Sequence, residues 1–331
     1  HNPVQWNALK LLNSEGEFIN AEEGAQVLEL AEKGDLEFAA VNELGTTSPL
    51  EGTIERHIDK ILKLDLVDVE SIRSKNYKVV CDCVNSTGGI AVPMLLKALG
   101  VEQVIELYCE PNGQFPHDPE PIPENLQDIA KTIRECGADI GIVVDPDVDR
   151  LALVQENGDM FGEEYTLVAV ADHVLSQRPS NTVSNLSSTR ALRTVTESHG
   201  GQHFASAVGE VNVVQKMKEV DAVIGGEGNG GVILPDLHYG RDALVGIALF
   251  LTLMAKTGRT ASELRAGYPQ LVISKNKIEL SADTDVDGIL RSMAEKYAHE
   301  KVSTVDGVKI DMSDEWVHMR KSNTEPIIRI Y

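Results

Sequence analysis

Ile140-Gly-Ile-Val-Val-Asp145-Pro-Asp147-Val-Asp149-Arg150 joins an apolar, β-branched run to three aspartates at alternate positions and an arginine. The run is short and bounded by Gly and Pro, so it reads as a buried parallel strand. Open α/β sheets place their ligands at the carboxyl ends of such strands. Carboxylates this close repel one another unless positive charge sits among them. A hard divalent cation with oxygen ligands meets that need, which makes Asp145, Asp147 and Asp149 candidate metal ligands. An EF-hand loop also begins D-x-D-x-D, and Glu156 falls at its twelfth position. Arg150 stands where that loop needs Gly, and the flanks IGIVV and LALV read as strands, so the EF-hand is excluded. A phosphatase with Asp145 as nucleophile stays open, as does a solvated acidic turn.

Upstream of this stretch, residues 77–84 read as a strand, Asn85-Ser-Thr-Gly-Gly89 as a turn, and the segment through Leu99-Gly100 as a helix. The turn could hold an anion at a helix N-terminus or simply reverse the chain. A strand over 101–108, a loop over 111–123, a helix over about 124–135 and the strand 139–144 complete a β-α-β-α-β alternation. That order predicts a parallel sheet with helices on both faces. Downstream, Leu151–Gln155, the turn Glu156-Asn-Gly158 and Met160-Phe161 predict a β-hairpin, and 163–176 a helix. Arg178-Pro-Ser-Asn181 reads as a linker. The pattern then recurs: strand 182–186, helix 188–199, strand 202–207, helix 211–219, strand 221–225. Two such blocks in series predict two similar domains without a clean sequence repeat.

The second block ends at Gly225-Gly-Glu227-Gly-Asn229-Gly-Gly231. Glycines let backbone approach a ligand closely, and Glu and Asn are good partners for hydroxyls, although a flexible turn has the same composition. His238-Tyr-Gly-Arg241-Asp242 precedes a helix over 243–256 that is apolar on most faces and should be buried between layers. The last part reads as strand 271–280, helix 286–298 and strands around 302–310 and 315–319, an α+β order. It carries Arg320-Lys-Ser322-Asn323-Thr324-Glu-Pro326, followed by Ile327-Ile-Arg329-Ile330. An arginine, a lysine, hydroxyls and an amide between two strands form a phosphate cradle, or else a plain β-turn. At the other end, 21–33 and 53–65 have helical spacing and 42–52 reads as a loop. On composition alone His1–Lys10 is a frayed end.

The bulk numbers narrow the partners. A chain of 331 residues is long enough for two to four domains. Its formal charge of −22 argues against nucleic acid or anionic membrane as the main partner but not against a small phosphorylated substrate. No apolar run is long enough to span a bilayer. Cys81, Cys83, Cys109 and Cys136 form no C-x-x-C pair and read as small core residues of a cytoplasmic protein. The first residue is His rather than Met, so the sequence is expected to start inside a longer chain.

Four motifs in order make the chain resemble the α-D-phosphohexomutases, which include phosphoglucomutase, phosphomannomutase and phosphoglucosamine mutase. His1-Asn-Pro with Lys10 resembles the tail of the active-site motif T-A-S-H-N-P. Asp145-Pro-Asp-Val-Asp-Arg150 resembles the metal loop D-G-D-G-D-R. Gly226-Glu-Gly-Asn-Gly230 resembles the sugar loop G-E-x-S-G, and Arg320–Pro326 the phosphate loop R-x-S-G/N-T-E-P. The resemblance implies serial three-layer α/β/α domains with mixed sheets and a C-terminal α+β domain. The expected segments are 1–67 (the remainder of the catalytic-serine domain), 68–178 (metal), 179–270 (sugar) and 271–331 (phosphate). It also implies interconversion of hexose 6-phosphate and 1-phosphate, with glucosamine the leading sugar, through a phosphoserine enzyme and a bisphosphate intermediate; a phosphoglucomutase/phosphomannomutase and a non-catalytic phosphosugar-binding protein are the alternatives. That serine belongs immediately before His1.

By the same resemblance, Mg²⁺ would sit on Asp145, Asp147 and Asp149, and Arg150 would hold the phosphoryl group. His1 would orient the serine. Lys10 would be a general acid/base whose pKa nearby cations lower, or a phosphate clamp. Glu227, Asn229 and Arg241 would bind the sugar, and Arg320, Ser322, Asn323, Thr324 and Arg329 the non-reacting phosphate. A monomer and a homodimer both remain open. The sequence departs from the family pattern at Pro146 and Val148, which replace loop glycines and should stiffen the metal loop. Asn229 stands where Ser is commoner. Gly231 and Glu210 stand where relatives carry His, which leaves a second acid–base group unassigned.

Overall fold

The computed structural model describes residues 9–34, 36–281, 284–322 and 327–331. The first helix, α1 (Ala21–Lys33), starts at a capping box between Asn20 and Glu23 and buries none of its residues. It is followed by α2 (Thr53–Leu62), inside the stretch 53–65 read as helical, and by α3 (Val69–Lys75), which the sequence did not signal. Apolar side chains before α2, including Leu28, Leu36, Phe38 and Leu50, are exposed.

The first α/β unit runs β1 (Lys78–Asp82), α4 (Gly88–Ala98), β2 (Gln103–Leu107), α5 (Gln127–Cys136), β3 (Ile140–Val144) and β4 (Leu151–Gln155). Its sheet has the order β2-β1-β3-β4, with β4 antiparallel to β3. The predicted hairpin partner of Leu151–Gln155 is therefore corrected. Its ladder is with β3 across the aspartate loop, and Met160 adds only an isolated bridge to Val154.

The second unit has α6 (Glu163–Gln177), β5 (Asn181–Asn185), α7 (Ala191–Ser198), β6 (His203–Ser206), α8 (Glu210–Glu219), β7 (Ala222–Glu227) and β8 (Gly231–Ile233). Its order, β6-β5-β7-β8 with β8 antiparallel, repeats that of the first. The two sheets are structural copies that share no legible sequence repeat. Helix α9 (Ala243–Thr257) is buried from Ala243 through Ala255. It joins both units into one core with Leu95, Ile142, Phe161 and Leu167. Helix α6 packs on α7, α9 and β7 and also touches β4.

After α10 (Ala261–Ala266) come β9 (Asn276–Glu279), α11 (Val286–Lys296), β10 (Lys301–Ser303), β11 (Val308–Asp311), β12 (Trp316–Lys321) and β13 (Ile327–Ile330). They form an antiparallel sheet of order β10-β11-β12-β13-β9. Two strand expectations are corrected here. The long strand at 271–280 shrinks to β9, and 302–310 splits at Gly307, whose φ of 65° breaks the ladder. Side chains fasten this sheet to the second unit. Arg190 donates to Asp311 Oδ1 at 3.0 Å and to the Ser313 carbonyl at 2.8 Å. Buried Lys309 donates to the Leu186 carbonyl at 2.6 Å, and Ser187 bonds His318 Nδ1 at 2.9 Å.

Candidate active site

The repeated topology explains why distant motifs meet. The aspartate loop is the β3–β4 turn and the glycine-rich loop is the β7–β8 turn, the same place in each copy. Leu151 N donates to the Gly230 carbonyl at 3.1 Å, and Ala243 N to the Val148 carbonyl at 3.1 Å. A Cβ on Gly230 would lie 2.3 Å from the Leu151 carbonyl oxygen, and its φ is 90°, so only glycine allows this approach. Ser86 and Thr87 hydroxyls both donate to the Pro146 carbonyl, at 2.7 and 2.8 Å. The Asn85–Gly89 turn thus braces the metal loop. Val148 holds a left-handed φ of 61° where the family pattern has glycine, an unfavourable conformation for a β-branched residue.

The three aspartates offer carboxylate oxygens within 4.8 Å of one another. Asp145 is buried at 1% exposure, and its Oδ1 accepts from Asp149 N and Arg150 N at 3.1 Å each. Asp145 Oδ2 and Asp149 Oδ1 are buried without hydrogen-bond partners, which is costly for a carboxylate. Burial, then the charges of Asp149 and Asp147, push the Asp145 carboxyl up to about 7. Two orphaned oxygens and an all-oxygen donor set fit a hard cation. Arg150 Nε lies 3.6 Å from Asp145 Oδ2 and 3.9 Å from Asp149 Oδ1, too far for a hydrogen bond.

Lys10 is paired with Asp147 and lies 3.3 Å from Asp149 Oδ2. The expectation that cations lower its pKa is corrected. Burial alone would lower it, but the hydrogen bond and charge of Asp147 and the charge of Asp149 raise it above the usual lysine value.

Arg241 is the cation at the centre. It is only 11% exposed and reaches Asp149 Oδ2 at 2.6 Å, Glu210 Oε2 at 2.9 Å and Glu227 Oε2 at 3.0 Å. The fork is thus committed to three carboxylates rather than presented to a sugar. Burial would lower its pKa, and Asp149, Glu227 and Glu210 raise it. Glu210 caps the arrangement by also accepting from Arg241 N at 3.1 Å. Burial raises the Glu210 carboxyl against the pull of Arg241. Glu227 is 6% exposed, and its Oε1 accepts from Asn185 Nδ2 at 3.0 Å and Gly209 N at 3.1 Å. Asn229 is half-buried, and its Oδ1 accepts from Gly231 N at 3.3 Å. Lys10, Asp147, Asp149, Glu210 and Arg241 line one cavity of about 320 Å³.

Sequence reasoning missed Asn185, which ends β5 as the aspartates end β3. It also missed the fixing role of Arg241, whose partners are 14, 31 and 92 residues away.

The phosphate-loop residues are separate from that cavity wall. Arg320 Nε donates to Asp306 Oδ2 at 3.0 Å, and Asp306 Oδ2 also accepts from Val208 N at 3.0 Å. Arg320 therefore connects through Asp306 to the Val208-Gly209 segment that holds Glu227. Across the sheet Arg320 pairs in register with Arg329, and Arg329 with Lys277. Lys277 is a member of this row that the motif did not announce. Ser322 is buried, with its N–H donating to the Ile327 carbonyl at 3.0 Å. His1, Asn323 and Thr324 lie outside the described residues.

With this geometry in hand the class is defined: the chain belongs to the α-D-phosphohexomutase family. Residues 55–158 match phosphoglucomutase/phosphomannomutase α/β/α domain II, and residues 162–271 match domain III. The whole chain aligns at 33% identity with a probable phosphoglucosamine mutase of Methanopyrus kandleri, covering 72% of that relative. It aligns at 35% with a phosphoglucomutase/phosphomannomutase of Thermococcus kodakarensis, again covering 72% of the relative. A crystal structure of a phosphoglucomutase/phosphomannomutase family protein from Burkholderia thailandensis superposes with a TM-score of 0.80 at 28% identity. That superposition covers 94% of this chain and 66% of the other. Among the described residues no helix is long and apolar enough to cross a membrane.

Proposed function

We propose that this chain supplies the metal, sugar and distal-phosphate sites of a mutase that interconverts hexose 1-phosphate and 6-phosphate, with glucosamine phosphate the preferred substrate. The observation that carries the reading is the convergence of Lys10, Asp147, Asp149, Glu210 and Arg241 on one cavity, with Glu227 tied to it through Arg241. Phosphoryl transfer depends on positioning and charge neutralisation more than on covalent chemistry by the protein. Mg²⁺ on Asp145, Asp147 and Asp149 would supply the compensating charge for phosphoryl oxygens.

The chain's own residues do the rest. Lys10 shares Asp147 and Asp149 with any bound cation; released from them, its ammonium is free to hold or protonate a sugar oxygen. Arg150, near but not on the aspartates, would clamp the transferred group. Asn229 reaches a ring hydroxyl directly. Glu227 does so by exchanging one of its present donors. The cation row of Arg320, Arg329 and Lys277, with Ser322 beside it, holds the phosphate that stays put, and one bisphosphate presents either end in turn.

The phosphatase alternative is disfavoured, because Asp145 is buried and its Oδ1 is occupied by two backbone N–H groups. Among the relatives are both phosphoglucosamine mutases and phosphoglucomutase/phosphomannomutases, so the sugar is the part to test. A coupled assay on a chain that includes the residues preceding His1 would compare glucosamine, glucose and mannose 1-phosphates with traces of bisphosphate. Higher kcat/KM for glucosamine 1-phosphate supports the choice. Equal or higher values for glucose or mannose reassign the enzyme to the dual-specificity branch.

A further inference from the structure

His57, His238 and Asp242 form a second convergence of metal-ligating groups, and no step above uses it. His57 comes from α2, His238 from the loop after β8, and Asp242 from the N-cap of α9. His57 Nε2 lies 2.7 Å and His238 Nε2 3.1 Å from the same oxygen, Asp242 Oδ2. The two imidazole rings are tilted at 54° with centroids 5.7 Å apart, so both Nε2 atoms aim at one point rather than stacking. One ligand atom from each residue falls within 4.8 Å of the others.

The carboxylate is fixed from behind. Asp242 Oδ1 accepts from Leu244 N at 2.8 Å and Val245 N at 3.2 Å, which leaves Oδ2 for the histidines. Such outer contacts orient a ligating carboxylate. The front is open: His57, His238 and Asp242 border a cavity of about 300 Å³ that Thr87 and Asp147 also line.

We propose that His57, His238 and Asp242 bind a divalent first-row transition metal of the Zn²⁺ or Co²⁺ class, at a site separate from the Asp145–Asp147–Asp149 loop. Imidazole nitrogens favour such ions, whereas Mg²⁺ prefers oxygen and water. A metal about 2.0–2.1 Å from each ligand atom replaces the proton now between each imidazole and Asp242, with outward shifts well within side-chain freedom. Two imidazoles and one carboxylate leave a coordination position open toward the cavity. The ion would staple α2 to the start of α9, whose Ala243 N already holds the metal loop at Val148.

The test is Co²⁺ titration of the chain in excess Mg²⁺, read by visible d–d absorption. One equivalent should bind without thiolate charge-transfer absorption, and His57→Gln and His238→Gln should each weaken it at least about tenfold. Three results would overturn the site: absorption unchanged in both variants, complete displacement by Mg²⁺, or thiolate bands pointing to Cys81, Cys83 and Cys109. Should either variant fail to fold, anomalous diffraction from Zn²⁺-soaked crystals of the unaltered chain decides. A peak among the three side chains supports the assignment; a peak only elsewhere, or none, refutes it.

Discussion

Replacing Arg241 by methionine removes one charge and leaves three carboxylates facing one another. Asp149 is 9% and Glu227 6% exposed, and the arginine itself has only 11% of its side chain in contact with solvent. At that depth solvent does little to replace the lost partner. Removing one member of a buried ion pair costs about 3–5 kcal/mol. Methionine keeps most of the apolar stem, so lost packing contributes little of this. The deficit should appear in urea unfolding followed by far-ultraviolet circular dichroism at neutral pH.

It should also depend on pH with a definite sign. Burial already raises the Glu210 carboxyl, and without the guanidinium its charge no longer offsets that push. The folded variant then binds more protons than its unfolded chain, and its stability falls as pH rises through that raised value. The gap from the parent protein should therefore be smaller at pH 5 than at pH 7.5. Adding Glu227→Gln to Arg241→Met should restore at least about 1 kcal/mol, because contacting residues couple. A deficit below about 1 kcal/mol, or one that does not change with pH, would refute the view that Arg241 is what neutralises this cluster.

Further outcomes follow from other contacts. Arg320→Ala should raise KM by roughly 10- to 100-fold, the loss of a charge-assisted hydrogen bond to phosphate; steady-state kinetics showing an unchanged KM would remove Arg320 from the phosphate site. Burial lowers the Lys309 pKa to about 8, so between pH 8 and about 10.4 the unfolded chain holds the extra proton and stability rises with pH, by at most about 3 kcal/mol. In Lys309→Met that rise should be smaller by this amount, and urea midpoints across the window that track the parent would count against it. Val148→Gly should change stability by less than about 1 kcal/mol, since relief of a left-handed valine offsets glycine's greater chain entropy; a loss above about 3 kcal/mol by the same unfolding measurement would show that the loop needs the valine side chain.

Sequence legibility followed the range of the interactions. Ile140–Val144 and the helix from Ala243 were readable because an apolar run fixes them locally. The alternation of strands and helices gave both α/β units almost element by element. Short α10 went unread, although Thr260 and Glu263 form a capping box that marks its start. At the site, the aspartates were visible because alternate carboxylates after a buried strand need a reason. Arg241 was read as a sugar-binding cation, not as the partner of three carboxylates. Its partners lie up to 92 residues away, and nothing local requires them to meet. Glu210 stood out as a departure from the family's histidine, and only folding shows it accepting from Arg241. Lys10 shows the limit most clearly: its neighbours in space are carboxylates, so its pKa moves opposite to the expected direction. The cross-strand row of Arg320, Arg329 and Lys277 depends on register, which residue spacing in β9 does not specify.

The central claim is that this scaffold moves a phosphoryl group between two hydroxyls of one sugar without releasing it to water. Phosphorus-31 NMR of a chain that includes the residues preceding His1, given glucosamine 1-phosphate, Mg²⁺ and a trace of the bisphosphate, tests that directly. The account predicts decay of the 1-phosphate resonance matched by growth of the 6-phosphate, at constant total phosphosugar. Growth of inorganic phosphate in its place, or no conversion of any of the three hexose 1-phosphates, would contradict it.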